Sequence, residues 1–173
     1  MSASTDTSQS LAPSSQTALS IDDTAPTTSP PRPGKTYIIR SRSTSKVITF
    51  LGGSVVLCPP GSLGTYRWTC VETADNWLGF QDPASGMYLG YDSHAWLQCQ
   101  AKSHGEREYL APRERPSGGF VLLVLVEGHV LPVGVRTRRK SGKWDASGSE
   151  VMEEGVKIRE WRAEAISWDF VEV

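Results

Sequence analysis

The chain has 173 residues, a net charge of −1, 38% hydrophobic and 9% aromatic residues. That length suits one domain. The near-neutral charge excludes a general drive toward nucleic acid or an anionic membrane, which needs an excess of one sign. The longest apolar run, Phe120–Val126, falls well short of the ~20 residues that span a bilayer.

Residues 1–34 are dominated by Ser, Thr and Pro and close on Ser29-Pro30-Pro31-Arg32-Pro33-Gly34. They offer almost no apolar surface to offset the entropy of ordering, so they read as a disordered tail with one Ser-Pro site. Met1 leads into Ser, Thr and Asp without a basic start or an apolar stretch, which argues against a secretory signal. Cys58, Cys70 and Cys99 are an odd number without CxxC spacing. They read as reduced, buried side chains of a soluble cytoplasmic protein, with neither a disulfide framework nor a zinc site.

From Lys35 onward, short β-type segments alternate with Gly, Pro, Ser and Asp. Strands are predicted over 36–40, 46–50, 54–58, 67–71, 77–80, 87–91, 95–99, 108–111, 120–126, 129–133 and 168–173. The stretch 150–165 fits either a short helix or an edge hairpin. An internal repeat organises these segments. Tyr37-Ile38-Ile39 is followed after 40 residues by Trp77-Leu78-Gly79 and after 43 more by Phe120-Val121-Leu122. Lys46-Val47-Ile48 maps onto Gly86-Met87-Tyr88, Cys58 onto Cys99, and Trp68 onto Tyr109; the third copy closes on Trp168-Asp169-Phe170 after an insertion around 147–163. Three units of four strands predict an all-β fold, a β-trefoil over 35–173, which leaves no open sheet edge. A β-sandwich would not explain why equivalent positions recur three times.

Gly86-Met87-Tyr88-Leu89-Gly90-Tyr91-Asp92, Trp96-Leu97-Gln98-Cys99-Gln100-Ala101 and Glu108-Tyr109-Leu110 resemble the repeat unit of fascin-like β-trefoils. Gly118-Gly119-Phe120-Val121-Leu122 and Trp168-Asp169-Phe170-Val171-Glu172-Val173 fit the same scheme. The wider superfamily that the chain resembles includes ricin-B-type lectins, actin-bundling proteins, protease inhibitors and growth factors. The resemblance implies a non-catalytic intracellular binding module that recognises a protein, including actin, or a carbohydrate. The Gln-x-Trp element typical of the lectins does not occur here, and actin-bundling fascins carry four trefoils where this chain has one.

Two residue clusters are candidates for recognition. Asp82, Tyr91, Asp92, His94 and Trp96 fall in the second repeat; a carboxylate accepting hydroxyl hydrogen bonds beside an aromatic face suits a sugar. Arg136, Arg138, Arg139 and Lys140, with Lys143, form the densest basic run and suit an acidic protein partner. Glu150, Glu153, Glu154, Glu160 and Glu164 follow closely and are expected to neutralise it. Nucleic-acid binding lacks the interleaved exposed aromatics that stack bases.

His94 and His104 read as solvated surface residues. His94, His104 and His129 have no metal-ligand spacing, and no cofactor or catalytic motif is present. Trp68, Tyr109, Trp168 and Phe170 are assigned to the core. The alternative function is a cyclase or isomerase that uses a trefoil pocket without a recognisable motif. A buried pocket with a perturbed carboxylate would favour it.

Overall fold

A computed structural model of the chain describes residues 28–159 and 165–173, without the Ser141 side chain. Twelve strands follow in order: β1 Thr36–Ser41, β2 Val47–Leu51, β3 Ser54–Cys58, β4 Trp68–Glu72, β5 Leu78–Gln81, β6 Tyr88–Tyr91, β7 Leu97–Ala101, β8 Leu110–Glu114, β9 Phe120–Val126, β10 His129–Trp144, β11 Glu150–Ile158 and β12 Trp168–Glu172. One 3-10 turn, Glu106–Glu108, precedes β8.

Six of these strands close a ring. β1 pairs with β4, β4 with β5, β5 with β8, β8 with β9, β9 with β12 and β12 with β1, all antiparallel. The other six form three hairpins: β2–β3, β6–β7 and β10–β11. Each hairpin is handed on from a ring strand through one equivalent pair. These are Arg40 with Val47, Gln81 with Tyr88 and Leu123 with Pro132.

The same threefold relation appears where the first and last strands of each unit meet. Tyr37 pairs with Trp68, Leu78 with Leu110, and Phe120 with Trp168. The large side chains of these pairs fill the ring, with Tyr37, Trp68 and Trp168 fully buried. Phe170 is the aromatic hub: Phe80 stacks on it at 5.5 Å, and Tyr37 and Phe120 meet it edge-on at 6.2 and 5.4 Å. Edge-to-face and offset contacts of this kind add about 0.5–1.5 kcal/mol each beyond area burial. The Trp68 indole N–H donates to the Ile48 carbonyl at 3.0 Å. The buried Trp168 indole N–H has no partner among the described residues.

The pairing shifts the second repeat by one residue from the spacing of 40. Leu78, not Trp77, holds the place of Tyr37, and Leu110, not Tyr109, holds the place of Trp68. Because strand side chains alternate in direction, one residue changes the face. Tyr109 is therefore only half-buried, outside the core to which the repeat assigned it. Cys99 likewise sits opposite Leu89, the place that Leu57 holds opposite Ile48 in the first repeat.

Of the stretch 150–165, left open between a helix and an edge hairpin, Glu150–Ile158 is a hairpin strand, and 160–164 lies outside the described residues. The third-repeat insertion is a lengthened β10–β11 hairpin that starts well before residue 147. Of the predicted tail, 1–27 lies outside the described residues, but 28–34 is laid against the ring. Thr28 bridges Val171, the Ser29 N–H donates to the Phe170 carbonyl at 3.4 Å, and the Gly34 N–H donates to the Cys70 carbonyl at 2.8 Å.

Candidate functional site

The β6–β7 turn is built by one carboxylate. Asp92 Oδ1 accepts the His94 N–H at 2.8 Å and the Trp96 N–H at 2.9 Å, while the Asp92 N–H donates to the Trp96 carbonyl at 2.9 Å. Asp and Asn favour such turns because their side chains reach the backbone two residues on. Asp92 Oδ2 has no hydrogen-bond partner among the described residues. Asp92 lines a groove of about 490 Å³ between the second and third repeats, together with Tyr91, Arg107 and Glu127, with Val126, Leu131 and Ile158 supplying the apolar side.

The short 3-10 turn places Arg107 at this groove. Buried Glu108 fixes the turn: its Oε2 accepts the Gly105 N–H at 3.1 Å, and its own N–H donates to the Gly105 carbonyl at 3.0 Å. The Arg107 guanidinium carbon then lies 5.9 Å from the centre of the Tyr91 ring. Burial pushes the Tyr91 hydroxyl above the usual phenol range, and the Arg107 charge partly opposes that shift. At neutral pH the phenol stays protonated, able both to donate and to accept.

The five second-repeat residues chosen from sequence do not form one site. Tyr91 and Asp92 share the groove. His94 is exposed at the tip of the turn. Asp82 is buried at 1% exposure and is engaged within its own turn, where Oδ2 accepts the Ser85 N–H at 2.9 Å and the Ser85 hydroxyl at 2.6 Å. It braces the β5–β6 turn and presents no carboxylate to a ligand.

Trp96 is turned away from the groove to the long hairpin. Its ring has the Arg138 guanidinium carbon 4.8 Å and Lys157 Nζ 5.0 Å from its centre. It also fills the space over Gly155, where a Cβ would meet Trp96 Cζ3 at 2.7 Å.

The centre of the basic run is compensated by two of the glutamates that follow it; Glu154 pairs with Lys46 instead, and Glu160 and Glu164 lie outside the described residues. Arg138 donates to Glu153 at 2.9 Å, Arg139 pairs with Glu150 at 2.9 Å, and Lys140 stands 4.0 Å from Glu153. The register of β10 against β11 produces these pairs, with Arg138 opposite Glu153 and Arg139 opposite Met152. Arg136 is exposed and makes no ion pair among the described residues.

His104 is not a solvated surface residue. Its ring stacks on Tyr88 at 5.5 Å and meets Tyr109 edge-on at 5.3 Å, and Tyr109 in turn stacks on Trp77 at 5.6 Å. Its Nε2 is buried without a partner among the described residues, above Gly79. Aromatic spacing alone did not reveal this row of four rings.

No protein-family model and no curated protein sequence matches the chain. Solved structures do. A ricin B-like lectin of Macrolepiota procera, in complex with lactose, matches with a TM-score of 0.58 and 17% identity over 82% of this chain and 98% of that one. The designed threefold-symmetric protein ThreeFoil matches with a TM-score of 0.58 and 15% identity, over 80% and 99% of the two chains.

The fold is a β-trefoil.

A trefoil segment also appears inside a larger enzyme, the GlcNAcα1-4Gal-releasing endo-β-galactosidase of Clostridium perfringens. That match has a TM-score of 0.57 and 12% identity, over 80% of this chain and 32% of that one. At such identities the likeness is one of fold, and function must be argued from the site.

Proposed function

We propose that this β-trefoil is a non-catalytic glycan-binding module whose site is the groove between its second and third repeats. The observation that carries the reading is the meeting of a turn-fixed carboxylate, Asp92, a phenol ring, Tyr91, and a guanidinium, Arg107, over the apolar side made by Val126, Leu131 and Ile158. Sugars need this combination: acceptors and donors for their hydroxyls, and an apolar face for their C–H side. The lactose complex of the structurally similar Macrolepiota procera lectin supports the same ligand class.

Glycan recognition is favoured over actin or another acidic protein because the centre of the basic run, Arg138, Arg139 and Lys140, already faces Glu150 and Glu153. The three free thiols support a setting in a reducing compartment such as the cytoplasm.

The expected affinity for a single sugar is low. At about 0.3 kcal/mol per non-hydrogen atom, a monosaccharide of about 12 such atoms gains roughly 4 kcal/mol, a millimolar dissociation constant. Detection therefore needs multivalent display, where effective concentration raises avidity without new contacts. A glycan array with the full chain, alongside Asp92→Asn and Arg107→Ala, tests the reading. Asp92→Asn keeps an oxygen to hold the turn and removes the negative charge from the groove. Glycans bound by the parent chain and lost with both variants support the site; binding that survives both refutes it.

A further inference from the structure

A second cavity, about 520 Å³, opens where the end of β1, the β8–β9 turn and the start of β12 meet. It shares no residue with the glycan groove. Its walls carry two guanidiniums, Arg42 and Arg115, and the hydroxyls of Ser43, Ser117 and Ser167, with Ile166 as the one large apolar side chain.

Among the described residues the charge around this cavity does not balance. Asp169 accepts from Arg40 at 3.0 Å and faces Arg42 at 3.6 Å, so one carboxylate serves two cations. Arg115 donates through Nη1 to the Ala165 carbonyl at 2.7 Å and to the Ser167 hydroxyl at 3.1 Å, both neutral groups. Among the described residues, no carboxylate pairs with Arg115.

The two guanidiniums are also held in place. Arg42 lies over the β8–β9 turn on Gly118 and Gly119, both at positive φ of 86° and 72°. A Cβ at Gly118 would stand 2.5 Å from Arg42 Nη1, and one at Gly119 would stand 2.6 Å from Arg42 Cδ. Two glycines thus make the bed for one arginine. The turn itself is closed by the Arg115 N–H donating to the Gly119 carbonyl at 2.9 Å and the Gly118 N–H donating to the Arg115 carbonyl at 2.9 Å.

We propose that this cavity binds a tetrahedral oxyanion, phosphate or sulfate, through Arg42 and Arg115 with the serine hydroxyls as further donors. Guanidinium forks match such oxygens in pairs, and charge-assisted hydrogen bonds are about twice as strong as neutral ones. Binding supplies negative charge beside Arg115, which has no carboxylate partner among the described residues.

The test is a titration of the full chain with sodium phosphate and with sodium sulfate, against sodium chloride at matched ionic strength, read by backbone amide NMR shifts. Saturable shifts at residues 42–43, 115–119 and 165–167, absent in chloride, are expected. Arg42→Gln should weaken them about tenfold. Ser117→Asp, which places a negative charge on an exposed turn, should abolish them and serves if Arg42→Gln does not fold. Glucose 6-phosphate and glucose 6-sulfate separate the sources: tighter binding than the inorganic ions marks an ester as the ligand, and equal binding marks the free ion. Shifts that follow ionic strength equally in all salts, or that persist in Ser117→Asp, would overturn the proposal.

Discussion

Arg138 holds its guanidinium carbon 4.8 Å from the centre of the Trp96 ring, joining a residue of the second repeat to one of the third. The contact is reinforced by a backbone bridge between Trp96 and Lys157 and by the Ile158 N–H donating to the Ala95 carbonyl at 2.8 Å. It packs a sugar-binding candidate, Trp96, against a protein-binding candidate, Arg138. Trp96 is a pin between two hairpins, and Arg138 is bound to it and to Glu153.

Removing that pin should cost stability. Trp96→Ala gives up a half-buried indole and its cation contacts, so a loss of about 2–3 kcal/mol is expected. Thermal unfolding should shift down by roughly 5–10 °C. An unchanged midpoint would mean that the ring contributes nothing to docking the hairpins.

Gly155 reports on the same contact from beneath. An added Cβ would lie 2.7 Å from Trp96 Cζ3 and 3.2 Å from Arg138 Nε. Gly155→Ala should therefore destabilise by about 1–3 kcal/mol in the parent chain and by much less in Trp96→Ala, where the clash is gone. Urea unfolding of the two single variants and the double variant gives the coupling. Simple additivity would contradict the close approach.

Asp82 separates turn chemistry from ligand chemistry. Asp82→Ala removes the buried carboxylate that accepts the Ser85 N–H and hydroxyl, charge-assisted bonds whose loss costs about 1–3 kcal/mol. The set of glycans bound should be the same as that of the parent chain. Loss of glycans with no loss of stability would return Asp82 to the site.

How much was legible in the sequence follows from these residues. The threefold repeat was legible because Tyr37, Phe120, Trp68 and Trp168 are large core side chains at recurring places. The second repeat slipped by one because Trp77 and Tyr109 look like core aromatics, whereas Leu78 and Leu110 do that work and the aromatics stack on each other outside. The long β10–β11 hairpin was obscure because its outer part buries neither face; exposed Trp144 and Met152 break any in–out alternation. Asp82 and Asp92 carry the same local signals, since residues that bind hydroxyls also close turns. Only packing shows which oxygen stays free. Arg107, Leu131 and Ile158 reach the groove from three separate segments, so no local motif announces them.

The buried thiols set an alkaline limit to stability. Burial pushes Cys70 and Cys99 up to about 12, whereas in an unfolded chain they ionise near 8.5. The folded state keeps two protons that the unfolded state sheds. Their stabilising contribution is complete below about pH 8.5 and is lost as pH rises toward 12, at about 1.4 kcal/mol per pH unit for each thiol. Urea unfolding from pH 7 to 10.5 should show that slope, flattened in a Cys70→Ala, Cys99→Ala double variant. In the native protein at pH 8, iodoacetamide should add once, at half-exposed Cys58. Rapid labelling of all three, or a flat pH response, would contradict the burial.

The most direct test of glycan recognition at the Tyr91–Asp92–Arg107 groove is an array of the full chain read in parallel with Asp92→Asn. A defined group of glycans bound by the parent and lost with Asp92→Asn, at equal thermal stability, is the expected result. A blank array, or the same glycans bound equally by both proteins, would contradict it.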